Sequence, residues 1–79
     1  MDKIPVTSSN VGFIAYDPST SELQLAFNDG LPDIAWDQCR IYSYSDVPAQ
    51  VFDDLKDAES KGSFVYHNIA FTFRYEQIQ

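Results

Sequence analysis

A single cysteine, Cys39, and a single histidine, His67, leave this chain of 79 residues without an intramolecular disulfide or a Cys/His quartet for structural zinc. Whatever fold it adopts must rest on apolar packing, in a chain so short that folding hides only about two-thirds of the surface its unfolded form exposes. The composition supplies the material: 44% of residues are hydrophobic and 15% aromatic, and each buried ring removes a large apolar area from water. One ordered domain over residues 1–79 is expected, rather than two domains or disorder. Met1-Asp2-Lys3-Ile4-Pro5 lacks the basic stretch and apolar run of a signal peptide, and no window has bilayer-spanning length. A cytoplasmic location without membrane contact is expected, and a free cysteine fits a reducing compartment.

Val11-Gly12-Phe13-Ile14-Ala15-Tyr16 reads as a strand with apolar groups on both faces, ended by the turn-forming Asp17-Pro18-Ser19-Thr20-Ser21. Leu23, Leu25 and Phe27 alternate with Gln24 and Ala26, which predicts the second arm of a hairpin, reversing through Asn28-Asp29-Gly30. In 31–39, Pro32 could open one helical turn with Ile34, Ala35 and Trp36 inward. Arg40-Ile41-Tyr42-Ser43-Tyr44 reads as a third strand, with both tyrosines on one face.

The period then changes. From Pro48 to about Ser60, Val51, Phe52, Leu55 and Ala58 recur at helical spacing, with Asp53, Asp54, Lys56 and Asp57 away from that stripe. Ser45 or Asp46 could cap this helix and Gly62 could take its left-handed terminus. Phe64 and Tyr66 are expected to anchor a loop, and Ile69, Phe71, Phe73 and Tyr75 alternate as a strand over 69–76. The expected class is α+β, a small antiparallel sheet of about four strands in the order β-β-β-α-β, with one main helix across it.

Five Lys and Arg against twelve Asp and Glu give a net charge of −7, and residues 29 to 59 alone carry −6. Binding along phosphates needs several cations together, whereas Lys3, Arg40, Lys56, Lys61 and Arg74 are scattered, so the charge disfavours nucleic acid. The acidic segment reads either as a solvated face or as a surface for a basic partner.

Val6-Thr7-Ser8-Ser9-Asn10-Val11, Ile14-Ala15-Tyr16-Asp17, Leu23-Gln24-Leu25-Ala26-Phe27, Tyr42-Ser43-Tyr44, Val47-Pro48, Ala58-Glu59-Ser60-Lys61-Gly62 and Ile69, in that order, resemble the KTSC domain family over nearly the whole chain. The family takes its name from a C-terminal extension of some lysyl-tRNA synthetases and occurs also as stand-alone proteins of bacteria and phages. Its hallmark is a central Tyr-x-Tyr followed by Val-Pro and a helix. The resemblance implies a bacterial or phage source and invites RNA binding as a role. Two departures stand out. Eleven residues separate Gly30 from Tyr42, which reads as an inserted loop at about 31–39, and Tyr66 and Ala70 occupy the Asn and Arg positions of the family's Asn-x-x-Ile-Arg pattern.

Catalysis through a nucleophile would have to pair His67 with Cys39 or an N-terminal serine, and nothing in the sequence aligns them. The i,i+4 pairs Asp33/Asp37 and Asp53/Asp57 lack the further oxygen ligands a calcium loop needs, and Gly12, Gly30 and Gly62 are too far apart for a phosphate loop. No enzyme activity, cofactor or metal is expected. Tyr42 and Tyr44 either pack against the helix or form a base-stacking surface. Trp36, flanked by Asp33 and Asp37, either anchors a protein contact or caps the core edge. The leading expectation is an interaction module whose acidic surface and inserted loop contact a protein, such as a basic or nucleic-acid-binding one, through Asp33, Trp36, Asp37, Tyr42, Tyr44, Asp53 and Asp57. The alternative is an RNA-binding accessory domain using Tyr42, Tyr44, Arg40 and Arg74.

Overall fold

The computed structural model describes residues 1–31 and 33–79. Five strands form one antiparallel sheet in chain order: β1 (Ile4–Pro5), β2 (Val11–Asp17), β3 (Glu22–Phe27), β4 (Arg40–Tyr44) and β5 (Tyr75–Gln77). Helices α1 (Ala49–Asp57) and α2 (Lys61–Asn68) lie between β4 and β5. The class is α+β, and β2, β3 and β4 fall where the sequence pattern places them. The two-residue β1 carries too little pattern to be read from sequence.

Strand pairing sorts the residues onto two faces. Ile14, Leu25 and Tyr42 stand side by side, as do Tyr16, Leu23 and Tyr44. This face meets the helices, and Val11, Ile14, Leu23, Leu25, Tyr44, Val47, Leu55, Val65 and Ile69 form the main core. The other face carries Phe13, Ala26 and Ile41, and it packs against Ile34, Trp36 and Cys39 from the segment joining β3 to β4. A bulge at Gly12 makes both clusters possible. Val11 pairs with Phe27 but Phe13 with Ala26, so the extra residue turns Val11 to the helices and Phe13 to the far side.

Local chemistry fixes the turns. The Asp17 carboxylate accepts from the Ser19 hydroxyl at 2.6 Å and from the Ser19 backbone N–H at 3.0 Å, bonds that hold the β2–β3 turn and draw its carboxyl below the usual range. Gly30 takes φ +81°, a conformation that glycine tolerates best, where Asn28-Asp29-Gly30 leaves β3. The Tyr16 hydroxyl donates to the Val47 carbonyl and its ring stacks on Phe52 at 5.0 Å, tying the hairpin to the start of α1.

Several expectations need correction. The helix expected over 48–60 ends at Asp57, because Ala58 takes an extended conformation and a second helix follows. Neither Ser45 nor Asp46 caps α1; Pro48 holds the N-cap position without a side-chain bond. Gly62 is not a helix terminus but lies in the first turn of α2, where a Cβ would come within 2.9 Å of the Asn10 side chain. Ser60 caps this helix by accepting from the Ser63 N–H at 3.2 Å, and Lys61 Nζ donates to the Lys56 carbonyl at 3.0 Å near the end of α1.

The strand expected over 69–76 shortens to Tyr75–Gln77. Ile69 is buried as the C-cap of α2, and its carbonyl accepts from Thr72 and Phe73 in a turn. These bonds satisfy the backbone that a strand would otherwise need to pair. In 31–39 the helical turn is a 3-10 turn at Trp36–Gln38, with Ile34 and Trp36 half-buried but Ala35 exposed. The start expected at Pro32 lies outside the described residues.

Candidate interaction surface

Both Tyr-x-Tyr rings point toward the helix side, with different outcomes. Tyr44 is only 4% exposed and belongs to the core; burial, with Tyr42 and Tyr75 nearby, pushes its hydroxyl above the usual range. Tyr42 is half-buried, its ring 5.6 Å edge-on to Phe27 and 5.6 Å from Tyr75. The Arg40 guanidinium stacks over Phe27 and Tyr42 at 5.6 and 5.8 Å. The same guanidinium forks onto Asp29, with Nε 3.0 Å from Oδ2, and its hydrogen bond holds the Asp29 carboxyl below the usual range. The local positive charge is thus already matched. Arg74, just before β5, alternates to the other face of the sheet, so Arg40, Tyr42, Tyr44 and Arg74 do not share a surface.

The acidic residues divide as well. Asp33 and Asp37 are exposed in the segment that packs on the far face, whereas Asp53 and Asp57 are exposed on α1 on the helix side. Asp53 also pairs with Lys56 at 3.4 Å. Trp36 covers the edge of the second cluster: its ring meets Phe13 edge-on at 5.9 Å, Lys3 sits over it at 5.1 Å, and the Gln79 amide donates to its carbonyl. Trp36 is half-buried at that edge.

Cys39 is buried, and desolvation together with Asp29 and Asp37 pushes its thiol above the ordinary value, away from the thiolate a nucleophile needs. His67 lies on α2, on the opposite side of the sheet, with Nδ1 2.9 Å from the Ser63 carbonyl. The fold therefore does not bring the thiol and the imidazole together. Among the described residues no three His, Cys, Asp or Glu side chains gather into a metal site, and no helix is long and apolar enough to cross a membrane.

The large apolar side chains most exposed among the described residues are ones the sequence reading placed elsewhere. Phe71, assigned to a strand face, is 81% exposed in the turn after α2, and Tyr66, assigned to a loop, is 62% exposed on that helix. Their rings meet edge-to-face at 5.4 Å, and Tyr66 also meets His67 edge-on at 5.3 Å. One signal could have found them: Ser60 with Val65 and Ile69 at i,i+4 spacing marks a second helix whose outward side carries Tyr66.

Comparison with known proteins agrees with this architecture. The family model of the KTSC domain matches residues 7–73. A protein of Tsukamurella paurometabola is 40% identical over 70 residues, covering 89% of this chain and 91% of that protein. A lysine–tRNA ligase of a Nostoc species is 36% identical over 63 residues, which cover 80% of this chain but 10% of the ligase. The crystal structure of a KTSC domain protein from Yersinia pestis superposes with a TM-score of 0.82 at 29% identity, covering 99% of this chain and 97% of that one.

Proposed function

We propose that this chain, which belongs to the KTSC domain family, is a non-enzymatic interaction module that binds a basic protein. The observation that carries the reading is the edge-to-face pair of Phe71 and Tyr66, 81% and 62% exposed. Large rings held in one geometry offer apolar contact area at low conformational cost, the property of interface anchors. The net charge of −7 and the exposed Asp53, Asp54 and Asp57 on the adjoining helix favour a cationic partner and faster encounter with it. In this reading Ile34, Trp36 and Cys39 of the inserted segment close the far face of the sheet, and the exposed Asp33 and Asp37 add long-range attraction.

RNA binding has narrower support. The Nostoc ligase acts on tRNA by its name, and Tyr42 with Arg40 has the composition of a stacking site, but Asp29 already neutralises that arginine. The test compares wild type with Tyr66→Ser/Phe71→Ser in pull-downs from bacterial lysate, with and without nuclease. A basic protein retained by wild type after nuclease, and lost with the variant, supports the proposal. Loss of every partner on nuclease treatment, with saturable binding of single-stranded RNA at low salt, would overturn it.

A further inference from the structure

The sheet ends at β5 with nothing paired to its outer side among the described residues. On its inner side, the Ser45 N–H donates to the Arg74 carbonyl at 2.9 Å and the Ile78 N–H to the Ile41 carbonyl at 2.8 Å. Backbone direction alternates along an antiparallel strand, so Arg74, Glu76 and Ile78 face β4, while Tyr75 and Gln77 turn N–H and C=O to the open edge. Such an edge is a template for another strand.

Charge selects the strand that fits. Tyr75, 54% exposed, has exposed Arg74 before it and exposed Glu76 after it. The two ion pairs among the described residues, Arg40–Asp29 and Lys56–Asp53, use neither. Both side chains project to the far face of the sheet, where they line a cleft of about 260 Å³ with Ser43, Ser45 and Tyr75. A two-fold axis through Tyr75 would set two copies of β5 antiparallel, with reciprocal Tyr75 backbone hydrogen bonds. It would also set Arg74 of each copy directly opposite Glu76 of the other, on the same face. Shifting the axis by one residue to Glu76 would instead oppose two carboxylates, which disfavours the slipped register.

We propose that the β5 edge is a self-association surface, which joins two copies of this chain into one continuous ten-stranded sheet centred on Tyr75. The partner is a second copy because the strand is its own charge complement, an observation independent of the Tyr66–Phe71 patch.

Sedimentation equilibrium from micromolar to millimolar protein tests this at physiological salt, which screens repulsion between two copies of charge −7 over about 8 Å. Wild type should pass from 9.0 kDa toward twice that mass as concentration rises. Arg74→Glu and Glu76→Arg each oppose like charges at both symmetric positions, so each alone should dimerise about tenfold more weakly or worse. An equimolar mixture of the two should form a heterodimer, since every cross-strand pair is again opposite in sign. Far-UV circular dichroism checks that both variants keep the fold. A wild type that stays at 9.0 kDa throughout, or single variants that dimerise as well as wild type, would overturn the proposal.

Discussion

Leu55→Ala is the sharpest perturbation of the core. Leu55 is the one fully buried residue of α1 and touches the main cluster, with half-buried Val51 and Phe52 beside it. Truncation removes buried carbons worth about 2 kcal/mol in transfer, and the cavity left between helix and sheet brings the expected loss to about 3 kcal/mol, within the 2–5 range for such changes. A domain of this length has about 4–12 kcal/mol of total stability, so the variant should remain folded but lose about 12–24 °C in Tm. Urea unfolding followed by both far-UV circular dichroism and Trp36 fluorescence checks this, because the helices and Trp36 report from opposite sides of the sheet. Coincident transitions at lower midpoint with unchanged slope are expected. The exposed Asp57→Ala on the same helix should change stability by less than about 0.5 kcal/mol, and a Leu55→Ala loss as small as that would refute the docking of α1 described above.

Ser60→Ala should cost about 1 kcal/mol in urea denaturation, since the serine side chain is the N-cap of α2. Iodoacetamide should alkylate Cys39 far more slowly in the native protein at pH 8 than in urea, because the thiol is buried and its ionisation raised. The Asp29 carboxyl should titrate below its ordinary value of 3.8 by NMR and move back toward it in Arg40→Ala. Because its ionisation is depressed in the folded state, the Asp29–Arg40 contribution to stability is present above that value and lost as pH falls below it.

Strands β2, β3 and β4 were legible because each is a short run of five to seven residues with its own strand signal, apolar groups on both faces in β2, alternation in β3 and paired tyrosines in β4, bounded by Asp-Pro, Asn-Asp-Gly or a change of period. The second helix was not, for reasons visible in single residues. Gly62 reads as a stop, yet its missing Cβ makes room for Asn10 inside a helix. Phe71 and Phe73 mimic one face of a strand, yet the carbonyl of Ile69 takes up the amides of Thr72 and Phe73 in a turn. Charge counting along the chain treated Asp33, Asp37, Asp53 and Asp57 as one segment, although the sheet passes between the two pairs. Distance across a sheet is a property of topology that no local window carries.

The residues that carry the family resemblance explain why it transmits the fold more strongly than a ligand. Val11, Tyr44, Val47 and Ile69 are core, Ser60 caps a helix, and Gly62 yields space to Asn10. Each is there for packing or backbone reasons that hold whatever the domain binds. Tyr42, the hallmark residue left half-exposed, sits beside an arginine already matched by Asp29, and Asp29 lies in the β3 turn rather than in a hallmark segment. A domain with this scaffold and an unmatched cation at position 40 would present a different surface to nucleic acid from the same backbone. The exposed positions proposed above to carry recognition, Tyr66, Phe71, Arg74 and Glu76, stand outside these shared segments or on the surface of the frame they build.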